Sequence, residues 1–280
     1  MKEKKQSNVL PAFLLTNDDG FSSQGIFELY LELSKIASVT VAAPDRERSG
    51  TGHAFSIKEP LHYELRTIEN GLKVFVITGT PVDCVKFAVS YLLSDGPAAV
   101  VAGINRGENS GLSAFYSGTV AAAREGAFWG IPSIAFSACN SRGCHAKEYV
   151  AYAKHILLGI LSFEKKRGKH NIFYNVNFPS CAPEECKGLR ITRQSLAFFD
   201  DRYKKIGFKK HRTKKGYVVF GEKKDIEKSY EYDTFALMNN YITITPMTYD
   251  TTAFRDKQNH RRLYRLLKQR LRKHGHTRKD

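Results

Sequence analysis

The sequence predicts an α/β fold, a doubly wound and mostly parallel sheet followed by a β-hairpin late in the chain. Three observations predict it. Short apolar runs recur through residues 8–178 and alternate with stretches of helical periodicity. The runs end repeatedly in polar or glycine-rich loops, where sheets of this kind gather their ligands. The composition, 42% apolar and 26% charged over 280 residues, is that of a folded chain long enough to bury a real core.

Ala12-Phe13-Leu14-Leu15-Thr16 is a buried strand ended by the turn Asn17-Asp18-Asp19-Gly20. Residues 25–37 place Ile26, Leu29, Leu33 and Ile36 on one helical face. Val39-Thr40-Val41-Ala42-Ala43 is a second strand, which closes a βαβ unit and makes the sheet parallel. Residues 61–65 and 73–77 read as two strands around Asn70-Gly71. Pro81 opens a helix that runs to about Leu93 and stops before Gly96-Pro97. Ala98 to Ala102 is the next strand, followed by a glycine-rich loop over 103–118 and a small-residue helix over about 119–129. Residues 132–136 and 172–176 are strands on either side of a helix over 146–163. Beyond Pro179 the pattern changes to short β-like runs mixed with Lys/Arg clusters, the expected hairpin; residues 241–246 alternate as a strand. Residues 254–273 form a basic amphipathic helix with Leu263, Leu266, Leu267 and Leu271 near one stripe, and the end after His274 is expected to fray. The expected organisation is an α/β core over 1–180, a hairpin region over 181–252, and a basic helical tail over 253–280.

The net charge of +16 is unevenly placed. Residues 1–164 carry 15 Lys/Arg against 16 Asp/Glu, whereas 165–224 carry 17 against 5 and 251–280 carry 11 against 2. Such segments bind nucleic acid or another anionic surface, or they are solvated faces that raise solubility. No nucleic-acid recognition motif accompanies them, so nucleic acid is a possible but not the favoured partner. No apolar stretch is long enough to span a membrane, and Met1-Lys2-Glu3-Lys4-Lys5-Gln6 leads into a strand without a signal-peptide core; a cytoplasmic protein is expected. Five cysteines, Cys84, Cys139, Cys144, Cys181 and Cys186, do not imply a disulfide framework. The two C-x4-C pairs, with His145 beside Cys144, are looser than the usual zinc knuckle.

No P-loop, dinucleotide fingerprint, nucleophile elbow or H-E-x-x-H stands in the chain. What stands at strand ends is oxygen. Asp18 and Asp19 follow the first strand, Ser49 lies in the loop after the second, and Asn105 closes a later one. If these strands are neighbours, the loops meet at one edge. Two carboxylates, a hydroxyl and a carboxamide are hard donors that suit Mg²⁺, Mn²⁺ or Ca²⁺. Each alone is ordinary loop chemistry. Asn109-Ser110-Gly111 and Ser117-Gly118-Thr119, the latter before a helix, leave backbone N–H groups for an anion, and Ser117 or Thr119 equally serves as a helix cap. Thr78-Gly79-Thr80-Pro81-Val82-Asp83-Cys84 reads chiefly as a second cap. A metal beside an anion cradle points to phosphate-ester hydrolysis.

With LLTNDDG (14–20), APDRERSG (43–50), GTPVDCV (79–85), GINRGENSG (103–111), YSGTVAAAREG (116–126), YNVNFP (174–179) and ITPMTYD (244–250), the chain resembles the SurE family, the survival-protein nucleotidases. The resemblance implies a Rossmann-like core with a C-terminal segment exchanged between subunits, and a homodimer or homotetramer built with the help of a hairpin, expected here at 194–224. It implies a divalent-metal-dependent phosphatase of nucleoside 5′- and 3′-monophosphates, with polyphosphate a further substrate of some members. One Mg²⁺ or Mn²⁺ per subunit would be held by Asp18, Asp19, Ser49 and Asn105, with Asp18, Asp19 and Asn105 catalytic, and the phosphate by Asn109, Ser117, Gly118 and Thr119. Many relatives carry Asp-Asp or Asp-Val before the YSGT block, where this chain reads Leu112-Ser113-Ala114-Phe115. Many carry S-x-S in place of Gly52-His53-Ala54, which raises His53 as a substrate contact or proton donor. The alternative reading is a protein that binds nucleic acid or processes polyphosphate through the basic hairpin and tail.

Overall fold

Apolar runs too short for helices and bounded by polar loops become the buried central strands of one nine-stranded sheet, whose two edge strands are exposed. In this computed structural model, residues 10–68, 71–139, 146–167, 171–206, 216–253 and 257–273 are described. The first strands are β1 (Ala12–Thr16), β2 (Ser38–Pro44), β3 (Tyr63–Thr67), β4 (Lys73–Ile77), β5 (Ala99–Arg106), β6 (Ser133–Ala138) and β7 (Ile172–Phe178). The late strands β8 (Leu189–Ile191) and β13 (Ile242–Thr248) join the same sheet, in the order β3-β4-β2-β1-β5-β6-β7-β13-β8. β2, β1, β5, β6 and β7 run parallel in that order, while β3 pairs antiparallel on β4.

Helices cover the sheet. α1 (Gln24–Leu33) buries Ile26, Leu29 and Leu33. α2 (Pro81–Phe87) begins at a reciprocal capping box: the Thr80 side chain accepts from the Asp83 amide, and the Asp83 carboxylate accepts from the Thr80 amide. It continues as one π-turn over Ala88–Leu92, so the expected helix is present but not α-helical throughout. After a short turn, α3 (Ser113–Tyr116), α4 (Gly118–Phe128) packs an almost wholly buried small-residue surface on β5 and β6. There is no room for more: a Cβ on Gly126 would lie 2.3 Å from the Ser133 hydroxyl oxygen. α5 (Val150–Arg167) starts and ends later than its periodicity suggested; Lys165, Lys166 and Arg167 in its last turn complement the helix dipole and extend it. Phe136, Phe178 and Tyr149 stack in succession within the core.

The chain divides into two compact units, Met1–Met247 and Thr248–Asp280. The first also holds β9 (Phe198–Phe199), the hairpin of β10 (Arg202–Ile206) and β11 (Gly216–Phe220), β12 (Lys223–Lys224) and α6 (Asp233–Met238). The hairpin therefore exists as expected; its basic tip, Lys209 to Lys215, lies outside the described residues. So do Met1 to Gln6, Asn70, Cys144, His145 and the end after His274. The second unit contains α7 (Lys257–Lys273), whose Leu263, Leu266, Leu267 and Leu271 are exposed. Among the described residues no helix is long and apolar enough to cross a membrane.

Candidate active site

The order β2-β1-β5 sets three loops side by side, and these carry the predicted oxygen donors. β1 ends at Thr16, and the turn that follows presents Asp18 and Asp19. The Asn17 amide holds that turn by donating to the Gly20 carbonyl at 2.9 Å and to the Ser23 hydroxyl at 2.6 Å. Gly20 takes φ +94° beneath the Arg46–Glu47 backbone, a conformation and approach that favour glycine. The Arg48 amide donates to the Asp18 carbonyl at 2.7 Å and so ties the Ser49 loop to the first turn. In β5 the register with β6 shifts between Ala102 and Asn105, an irregularity of the kind that re-aims side chains beside active sites.

Asp19, Ser49 and Asn105 line one cavity of about 720 Å³, together with Glu47, Arg106 and Lys147. Asp18 is buried beside it, where it accepts a hydrogen bond from the Thr119 hydroxyl. The backbone N–H groups of Gly118 and Thr119 point at the same carboxylate. Ser117 caps α4, its hydroxyl oxygen accepting from the Val120 amide at 3.1 Å. Asn109 is held at the carboxyl ends of β6 and β7, on Ser137, the β6 residue in register with Asn105. Its amide donates to Asn177 Oδ1 at 2.7 Å, its side chain donates to the Ser137 hydroxyl at 2.8 Å, and its carbonyl accepts from Asn175 at 2.7 Å.

The electrostatics are those of gathered negative charge. Burial pushes the Asp18 carboxyl above the ordinary carboxylate range, against the hydrogen bonds from Thr119 that favour its ionised form. Burial first, and the neighbouring Asp18 charge second, push Asp19 up to about 6; the hydrogen bond from the Arg106 amide, and then the Arg106 charge, offset this only in part. Two carboxylates pressed together at this cost are suited to a cation. Asn105 donates its side-chain N–H to the Gly107 carbonyl at 2.7 Å, which leaves the amide oxygen as its free acceptor. Ser49 donates to Glu47 at 2.6 Å and keeps its lone pairs. Among the described residues no three His, Cys, Asp or Glu cluster as a metal site, so a cation held here would also need neutral oxygens. The donor set fits a hard divalent ion.

Several neighbours were not singled out by sequence reasoning. Asn175 and Asn177 are wholly buried and hold Asn109; two asparagines in the otherwise apolar run of β7 were the available signal. His53 has a partner within the fold. Its Nε2 lies 3.0 Å from Glu125 Oε2, and its ring packs 5.1 Å from that of Phe128. Glu125, 2% exposed, also accepts from Trp129 at 2.9 Å and from Lys86 at 3.3 Å. Burial alone would raise its pKa, but these hydrogen bonds together hold it below the ordinary 4.5. Its contribution to stability is therefore full above that value and is lost as the pH falls through 4.5 and below. Glu125→Ala is expected to cost roughly 2 kcal/mol in urea unfolding at neutral pH, because it strands the Trp129 N–H, the Lys86 ammonium and the His53 ring nitrogen. The difference from wild type should shrink on acidification.

The fold and site define a doubly wound α/β protein with an acidic, oxygen-lined pocket where three adjacent parallel strands end, beside a helix N-terminus. The family model for survival protein SurE matches residues 13–201, and the chain belongs to that family. It is 38% identical to the 5′-nucleotidase SurE of Flavobacterium psychrophilum over 248 residues, 87% of this chain and 93% of the relative. It is also 38% identical to the 5′-nucleotidase SurE of Clostridium botulinum strain Langeland over 244 residues, 86% of this chain and 94% of the relative. The crystal structure of the SurE protein from Aquifex aeolicus superposes with a TM-score of 0.74 at 34% identity, covering 91% of this chain and all of that one.

Proposed function

We propose that the protein is a divalent-metal-dependent phosphomonoesterase that hydrolyses nucleoside 5′- and 3′-monophosphates to nucleoside and phosphate. The observation that carries this reading is the pair Asp18 and Asp19, raised in pKa by burial at the edge where Ser49 and Asn105 also arrive. The names of the SurE relatives support the 5′-nucleotidase part of it.

Asp18, Asp19, Ser49 and Asn105 would hold one Mg²⁺ or Mn²⁺. Such an ion, when bound, supplies positive charge that polarises a phosphoryl oxygen and acidifies an attacking water. The chain's own residues do the rest. Thr119 orients Asp18, and the Asn105 side chain is turned by its bond to Gly107 so that the amide oxygen remains available. Ser117, Gly118 and Thr119 would set the positive end of α4 beside the phosphate, with the Gly118 and Thr119 N–H groups shared with Asp18. Asn109 is held from three sides and retains one side-chain N–H for a phosphoryl oxygen.

The test is phosphate release from a panel of nucleoside 5′- and 3′-monophosphates and short polyphosphate, each with Mg²⁺, Mn²⁺ or EDTA. The reading expects metal-dependent release from nucleotides of both positions; release that EDTA leaves untouched would overturn the mechanism. The active form is proposed to be a homodimer or homotetramer. Exposed Tyr203, Val219 and Phe220 on the hairpin, and the leucines of α7, are apolar surface of the kind a subunit interface covers. Truncation after Thr252 is expected to lower the mass seen in light scattering to that of a smaller assembly.

A further inference from the structure

The loop that carries Asn109 is clamped from the C-terminal side of the fold by two charged side chains, Lys223 and Asp233. The Lys223 ammonium has three N–H donors, and all three are used. They go to Glu108 Oε1 at 2.6 Å, the Ser110 carbonyl at 2.8 Å and the Ser110 hydroxyl oxygen at 2.9 Å. The other Glu108 oxygen accepts from the Ser110 amide at 2.7 Å and the Ser110 hydroxyl at 2.6 Å. Asp233 is fully buried. One of its oxygens accepts from the Gly111 amide at 3.0 Å, and the other accepts from the Ser195 and Thr234 amides at 2.8 Å each.

The two anchors meet through hydroxyls. Thr234 Oγ1 lies 2.9 Å from Ser110 Oγ and 2.8 Å from Ser195 Oγ. One proton order satisfies every member: Ser195 donates to Thr234, Thr234 to Ser110, and Ser110 to Glu108. A buried network with every group paired fixes a single geometry. The backbone allows no alternative seat. Gly111 takes φ +61°, and a Cβ there would lie 2.6 Å from the Ala197 carbonyl oxygen. The Gly111 carbonyl accepts from Gln194 at 2.8 Å, and the Leu112 amide donates to Ala197 at 2.8 Å.

We propose that Lys223 and Asp233 are positioning residues of the phosphate site, which set the place of Asn109 by locking the loop Glu108-Asn109-Ser110-Gly111 from residues more than 110 positions away. The proposal rests on the function proposed above, because it assigns Asn109 to the phosphate. It gives β12 and α6, which lie outside the nine-stranded sheet, a part in substrate binding. Neither side chain touches the cavity of Asp19, Ser49 and Asn105, so the metal subsite and the phosphate subsite should respond differently to their loss.

The experiment compares wild type with Lys223→Met, Glu108→Gln, their double variant and Asp233→Asn. For each, KM and kcat for a nucleoside monophosphate, competitive inhibition by inorganic phosphate, half-saturation by Mn²⁺ and melting temperature are measured. Lys223→Met is expected to raise KM and the phosphate inhibition constant together by about tenfold, while the Mn²⁺ half-saturation stays within about twofold. The double variant should be no worse than the more impaired single one, because both remove the same contact. Folding of Lys223→Met is not a precondition: Glu108→Gln keeps the side-chain shape at a half-buried position and weakens the same ion pair. A merely structural role would lower the melting temperature of these variants and leave both constants of the folded enzyme unchanged, which would overturn the proposal. Equal shifts in phosphate and Mn²⁺ constants would also overturn it. If wild type releases phosphate and the variants match it, the clamp alone fails. If wild type neither releases nor binds phosphate, the proposed function fails and the clamp with it.

Discussion

Asp19→Asn is expected to lower metal-dependent phosphate release by at least about a thousandfold without loss of the fold. Asp19 lines the cavity, and its carboxylate carries a charge that an amide cannot supply to a cation. The same substitution should have the opposite effect on metal-free stability. The folded pKa of Asp19, about 6, lies above its ordinary value of 3.8. A carboxyl raised in this way opposes folding when ionised. Its penalty is absent below 3.8, grows as the pH rises through 6, and is complete at neutral pH. Because the group is partly open to solvent, the relief from Asp19→Asn is about 1 kcal/mol rather than the full value of the shift. In EDTA at pH 7.5 the variant should therefore melt at or above the wild-type temperature. Added Mn²⁺ should raise the melting temperature of wild type and leave the variant nearly unmoved. A variant that melts far below wild type in EDTA would mean that Asp19 is structural.

Gly118→Ala is expected to reduce kcat/KM by about a hundredfold, because displacements near 1 Å at a reacting centre cost that much. Gly118 is the first residue of α4, where its conformation is helical and open to any residue; the constraint is space. A Cβ there would sit 2.9 Å from the Asp18 Cβ, 3.1 Å from its Oδ2 and 3.0 Å from Pro81 Cγ. Something must move, and the buried Asp18 carboxylate is wedged between Thr119 and the new methyl group. The control is Gly159→Ala in α5, where no atom lies within 4 Å of the added Cβ. That change should leave the rate alone and add up to about 1 kcal/mol of stability. An active Gly118→Ala would show that Asp18 can shift without consequence, against its assigned place in the metal subsite.

The parts of this site that could be read from sequence were those encoded by neighbours in the chain. Apolar runs such as Ala12–Thr16 followed by Asn17-Asp18-Asp19-Gly20 mark both a buried strand and the loop that ends it, because burial and turn chemistry are local. The condition that the loops of Asp18, Ser49 and Asn105 meet required β2, β1 and β5 to be adjacent, and they are. The capping box of Thr80 and Asp83 was legible for the same local reason; that Ser56 also donates to Asp83 was not. Element ends were less legible. α5 extends to Arg167 through favourable charge at its last turn, and the helix after Pro81 loosens into a π-turn at Ala88.

Long-range hydrogen bonds left no trace in periodicity. The Thr119 bond to Asp18 joins residues 101 positions apart, and that of Lys223 to Glu108 joins residues 115 apart. Each looks, in its own stretch of chain, like a cap or a surface charge. His53 shows the converse: a polar residue in a loop near the site invites a catalytic role, whereas its partner is Glu125 on α4, 72 positions away. Burial is what distinguishes such cases, and burial is a property of the whole fold.

The central claim is that Asp18 and Asp19 form the acidic half of a metal subsite on which hydrolysis depends. The most direct test is phosphate release from a nucleoside 5′-monophosphate by wild type and Asp18→Asn at saturating Mn²⁺, with EDTA and Mn²⁺ restoration as the second axis. The expected result is release by wild type that EDTA abolishes and Mn²⁺ restores, and none from a folded Asp18→Asn under any condition. Undiminished release by Asp18→Asn, or by wild type in EDTA, would contradict it.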